Sequence, residues 1–122
     1  ASSSICSNQA LCALTASVYM ATMGPSGMAE VANQCLSKAQ YAAEQISKVS
    51  GFELKYKGDF FNEFVTNSPI PYEAVMSRLE DEGILGGYPL IEEKEGGILW
   101  CVTELNTKAQ IDELVHILRE VA

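Results

Sequence analysis

The first 29 residues carry no charged side chain, and Glu30 is the first to appear. Helical spacing over this stretch sets Leu11, Leu14 and Val18 on one apolar seam. Cys12, Tyr19 and Met23 fall on a second seam, roughly 100° round the axis. A surface helix of a soluble protein keeps a charged stripe toward water. Here the polar groups are chiefly Asn8, Gln9, Thr15, Ser17 and Thr22. One seam is expected to pack on the chain's own next helix, leaving the other as an apolar patch that finds a partner. Tyr19 and Met23 are therefore interface candidates, with self-association as a two-fold dimer the simplest expectation. Together with a start at Ala-Ser-Ser-Ser, the charge desert suggests a piece of something larger.

The apolar run from Ala10 to Met23 is too short to span a bilayer. No positive charge precedes it, as a secretory signal would require. Acidic side chains outnumber basic ones sixteen to eight, for a net charge of −8. Duplex binding needs a basic stripe against phosphates and anionic membranes need the same, so neither nucleic acid nor membrane is an expected partner.

Element signals give an α+β domain over residues 1–122. A first helix is predicted from about Ile5 to Met23, ended by Gly24-Pro25, with proline pre-shaped for the next first turn. The second carries Met28, Val31, Cys35, Ala39, Ala42, Ile46 and Val49 on one stripe until Gly51. At about 25 residues it spans roughly 37 Å. Alternation predicts a strand over 52–56 with Phe52, Leu54 and Tyr56 on one face, and a second strand over 60–65. A short helix opens at Pro71, buries Val75, Met76 and Leu79, and closes at Gly83. Residues 84–91 read as irregular or weakly extended. The continuously apolar run 98–102 reads as a central strand covered on both faces, with Trp100 and Cys101 in the core. Thr107 and Gln110 form a capping box for a last helix with Ile111, Leu114, Val115, Leu118 and Val121 inward. The order is α-α-β-β-α-β-β-α, a mostly antiparallel sheet carrying helices on one face.

Catalytic groupings are hard to assemble. Gly83 to Gly87 lacks the lysine and following helix of a phosphate loop. His116, the only histidine, reads as a surface partner of Asp112 four residues earlier. Cys6, Cys12, Cys35 and Cys101 show no CxxC spacing and read as free thiols of a reducing, cytoplasmic setting, with no metal site. Thr103-Glu104 reads as a turn before the last helix. Asn62 and Glu63 leave two readings open. Residues 61, 63 and 65 face solvent or a neighbouring domain, or Asn62 and Glu63 form hydrogen-bonded structure at an interface.

Several segments resemble one family in order along nearly the whole chain. Ser4-Ile-Cys-Ser-Asn-Gln-Ala-Leu11 is similar to the segment that opens the small C-terminal domain of glycine dehydrogenase (aminomethyl-transferring), the glycine cleavage system P-protein. Gly24-Pro-Ser-Gly-Met-Ala-Glu-Val31 resembles its helix-to-helix corner. Phe60-Phe-Asn-Glu-Phe-Val65 and Cys101-Val-Thr-Glu104, followed by Thr107-Lys108 and Ile111-Asp112, resemble subunit 1 of the split, two-subunit form. The resemblance implies the small domain of a type I pyridoxal-phosphate enzyme. It implies a whole enzyme that decarboxylates glycine and passes the aminomethyl group to a lipoyl H-protein. The cofactor is expected on the partner, subunit 2, because the family's lysine follows a histidine and this chain has no His-Lys pair. No catalytic, cofactor or metal residue is expected in this piece, which supplies scaffold and subunit interface. Ser4, Asn8 and Gln9 are candidates for contacts near an inter-domain cleft. A small ferredoxin-like regulatory module is the competing outline, and a stand-alone interaction domain is a third.

Overall fold

The computed structural model describes residues 4–90 and 96–122, with side chains from Gln9 onward. The chain divides into two compact units, Ala1–Asn33 and Gln34–Ala122.

The first unit is helical. Helix α1, Ser4–Ile46, is broken at Gly24, which takes φ 64° and ψ 176°. That region of backbone space is essentially glycine's alone. Pro25 follows inside the helix and begins its second arm, so the predicted Gly-Pro corner is present.

The second unit is built on a three-stranded antiparallel sheet in the order β1-β3-β2. Its strands are β1 Glu63–Thr66, β2 Tyr88–Pro89 and β3 Ile98–Cys101. Helix α2, Tyr72–Asp81, follows β1, and helix α3, Lys108–Val121, follows β3. Register pairs Phe64 with Trp100 and Thr66 with Ile98. All four are buried on one sheet face, in a core with Ala39, Ala42 and Ile46 of α1, Val75 and Leu79 of α2, and Ile111, Val115 and Leu118 of α3. Trp100 Nε1 donates to Thr66 Oγ1 at 2.9 Å inside that core.

Local chemistry explains the helix ends. Gly83, at φ 73°, closes α2 with Gly83 N–H to Glu80 O and Ile84 N–H to Leu79 O, both 2.9 Å. This pair of bonds is a Schellman motif, with Ile84 folded back on the core. Helix α3 has the predicted capping box, Thr107 accepting from Gln110 N–H and the Gln110 side chain reaching back to Thr107 N–H. Arg78 pairs with Glu82 at the end of its own helix at 2.7 Å and ties α2 to α3 through Glu120 at 2.9 Å.

Three expectations change. The strand expected over 52–56 is a single bridge, Leu54 to Thr66, so the order is α-α-β-α-β-β-α. Phe52 is buried but sits in the turn after Gly51, its N–H bonded to Val49 O, while Tyr56 is exposed. The alternation holds for Phe52, buried, and Leu54, half-buried, but the turn leaves one residue's width of ladder. The run 98–102 is covered on one face only. Cys101 is exposed and Leu99 half-buried, because strand alternation sends both away from the helices. Cys101 is therefore not core. Lastly, side chains 9–22 are all exposed, so neither seam of the first arm is buried as expected.

Trp100→Ala should cost about 3–5 kcal/mol in urea unfolding, the range for truncating a buried aromatic. Thr66→Val keeps the volume but strands the indole N–H, and should cost about 1–3 kcal/mol. A Thr66→Val variant as stable as wild type would show that the bond contributes nothing.

Candidate functional site

The first arm of α1 places Leu11, Leu14, Val18, Tyr19 and Met20 in solvent. Three of its hydroxyls bond the helix's own backbone. Thr15 Oγ1 donates to Leu11 O at 3.0 Å, Ser17 Oγ to Ala13 O at 2.8 Å and Thr22 Oγ1 to Val18 O at 2.8 Å. These bonds to carbonyls four residues back occupy the hydroxyl protons on the helix's own backbone. The surface is thus drier than its composition suggests. Gln9 and Tyr19 are exposed and Met23 is half-buried. The side chains of Ser4 and Asn8 lie outside the described residues.

Asn62 and Glu63 lie at the start of β1 against Cys101. Asn62 Nδ2 stands 3.6 Å from Cys101 Sγ, Asn62 O accepts from Val102 N–H, and Glu63 pairs in register with Cys101. Residues 61 and 63 are exposed and 65 is half-buried, so all three face outward. Partial burial, then the Glu63 charge, pushes the Cys101 thiol up. Glu63, Val65, Leu99 and Cys101 form the sheet face away from the core, with Tyr88 exposed opposite Leu99.

A second cluster went unseen in the sequence. Buried Cys35 donates its thiol proton to Glu104 Oε2 at 3.2 Å, and Lys38 Nζ donates to Glu104 O. Burial, then this hydrogen bond, raises the Cys35 thiol. Glu104 thus does more than precede a helix: its turn is pinned to α1. Nearly seventy residues separate the partners, and no local pattern announces the contact. His116 faces Glu120 at 3.4 Å, because Asp112 is occupied by Lys108 at 2.5 Å and by the Tyr41 hydroxyl.

A cleft of about 420 Å³ opens between residues 82–87 and the first turns of α3. Ile46, Trp100, Val102, Ile111 and Leu114 are among its apolar lining residues, and Asn106 and Gln110 add polar groups. Among the described residues that line it, Glu82 and Glu113 are the charged ones, and none is a lysine, arginine or histidine. A phosphate-bearing cofactor needs cationic or N–H donors rather than two carboxylates. Lys38, Lys48, Lys55 and Lys108 are engaged with Glu104, Glu44, Gly96 and Asp112 respectively. The described residues lining this cleft do not fit a pyridoxal-phosphate group. Among the described residues no cluster of three His, Cys, Asp or Glu side chains is arranged for a metal, and no helix is long and apolar enough to cross a membrane.

The described residues thus present three surfaces: the first arm of α1, the outward sheet face and the cleft. The sequence profile of the glycine cleavage system P-protein matches residues 1–118, and the chain belongs to that family. It is 46% identical over 118 residues to a probable glycine dehydrogenase (decarboxylating) subunit 1 of Chlorobium limicola, covering 97% of this chain and 27% of that protein. It thus spans about a quarter of that relative's length. A crystal structure of glycine decarboxylase (P-protein) in inhibitor-bound form superposes with a TM-score of 0.76 at 30% identity, over 86% of this chain and 24% of that one. A glutamate decarboxylase domain from Vibrio parahaemolyticus shares the fold alone, with TM-score 0.61 at 15% identity over 84% of this chain and 24% of that one. The fold is the α+β fold of a small domain in a type I pyridoxal-phosphate enzyme, and the regulatory-module outline is not favoured.

Two outcomes follow. In a Cys6→Ser background, a thiol reagent at neutral pH should label Cys12 first and Cys101 more slowly, with Cys35 labelled only on unfolding. Glu63→Gln should speed Cys101, since the thiolate is the reacting form. Fast labelling of Cys35 in the folded chain would contradict its burial. Added pyridoxal phosphate should give no stoichiometric, borohydride-trappable adduct at one lysine; mass spectrometry would reveal such an adduct.

Proposed function

We propose that this chain is the C-terminal domain of subunit 1 of a two-subunit glycine dehydrogenase and serves as scaffold and subunit interface. The family is pyridoxal-phosphate dependent in general, and a subunit 1 implies other subunits. In this reading subunit 2 carries the cofactor, and the assembled enzyme decarboxylates glycine and hands the aminomethyl group to lipoyl H-protein in the cytoplasm. The isolated chain is inactive.

The observation that carries the reading is the first arm of α1. Its side chains from 9 to 22 are exposed, uncharged and rich in large apolar groups, and its hydroxyls are satisfied by its own backbone. Such a surface loses little on desolvation and gains about 25 cal/mol for each Å² of apolar area covered. Gln9, Tyr19 and Met23 belong to this interface, with Ser4 and Asn8 placed near it by sequence. Asn62 and Glu63 belong to a second one, on the outward sheet face beside Leu99 and Tyr88.

In the absence of its partners the 122-residue chain should self-associate through the first arm. Sedimentation should show dimer at high concentration, shifted toward monomer by Tyr19→Lys with Met23→Glu at unchanged circular dichroism. Addition of subunit 2, or of the remainder of subunit 1, should compete with that dimer. A wild-type chain that stays monomeric, binds no hydrophobic dye and unfolds on the double substitution would place both seams inside the fold.

A further inference from the structure

The 420 Å³ cleft exists because β2 and β3 part company. They pair only at Tyr88 with Leu99 and Pro89 with Ile98. Continued register would bring Gly86 opposite Cys101, but the chain turns toward α2 instead. A Cβ on Gly86 would lie 2.7 Å from both the Leu79 and Met76 side chains. Past Leu99, β3 has therefore lost its neighbour on that side. Gly97 O accepts from Leu90 N–H on the β2 side, and Val102 N–H donates to Asn62 O on the β1 side. Strand alternation then turns the backbone N–H and C=O of Cys101 toward the cleft.

Three further features bear on what fits there. Apolar side chains share the lining with Asn106 and Gln110, and Leu85, 91% exposed, stands among them. The formal charge of the lining is negative, from Glu82 and Glu113. Arg78 engages Glu82, whereas Glu113 has no ion-pair partner among the described residues. An open strand edge beside apolar side chains, amides and carboxylates suits an extended polypeptide, paired by backbone and anchored by alternate side chains.

We infer that this cleft seats an extended segment of the rest of the subunit, presenting an apolar side chain beside a lysine or arginine. The inference rests on the subunit 1 reading, in which the relative is far longer than this chain, which covers 27% of it. It adds a third contact surface, distinct from the first arm of α1 and from the outward sheet face.

Hydrogen exchange of the 122-residue chain, compared with the complete subunit as one polypeptide, tests it. In the complete subunit the amides of Cys101 and residues 85–87 should exchange at least about tenfold more slowly, together with slower exchange in the first arm of α1. Leu85→Glu and, separately, Glu113→Lys should restore fast exchange at the cleft. Glu113 lies on the exposed side of α3, so its variant reads the charge requirement should Leu85→Glu unfold the domain. Slower exchange in the first arm with an unchanged cleft would overturn this inference and leave the subunit reading standing. No slowing at either place would overturn both. Cleft protection already present in the 122-residue chain and rising with its concentration would assign the cleft to a second copy, which also overturns the inference.

Discussion

The buried hydrogen bond from Trp100 to Thr66 is the interaction around which the second unit is arranged. Each partner is an amphipathic group in a place without water, and each is tolerable there only because of the other. The bond crosses from β3 to β1, so it also fixes which residues of the two strands meet. A slip of one residue would send Phe64 and Thr66 outward and bring Glu63 into the core. Once that register is set, Ile98 and Phe64 present one apolar face, and the helices have a surface on which to bury their stripes.

Much of this was legible in the sequence. Helix ends were written in residues with one obvious use: Gly24-Pro25, Gly83, and Thr107 with Gln110, whereas Gly51 lies in a turn beyond the helix end at Ile46. Buried stripes at 35, 39, 42 and 46 and at 111, 115 and 118 followed from period alone. What failed did so for a common reason. The run 98–102 is apolar on both faces, and apolarity does not say whether a second layer is supplied by the same chain. The seams of the first arm pose the same problem: one is expected to pack on the next helix, yet side chains 9–22 are exposed. Contacts such as Cys35 with Glu104 were invisible because only the tertiary fold creates them. The cleft was invisible because it arises from two strands diverging, a property of the backbone path.

The exposed apolar surfaces make sense together once the chain is taken as one part of a longer family member. A small domain buries a smaller fraction of its surface than a large one. Here the helix-backed sheet face supplies a core while the opposite face and the first arm remain open. On the proposed reading, the contribution of this chain is to position other parts of the enzyme.

The corner at Gly24 gives that positioning a particular character. A Cβ built there meets nothing within 4 Å, so no packing contact demands glycine. The requirement comes from the backbone torsions alone, which a side chain would strain. The change of direction is thus encoded by one residue and its proline neighbour, independently of any surface the helix later meets. A partner that docks on the first arm finds an element whose bend is already made. It need not spend association energy on selecting that bend from a flexible ensemble, so more of the contact energy is left as affinity.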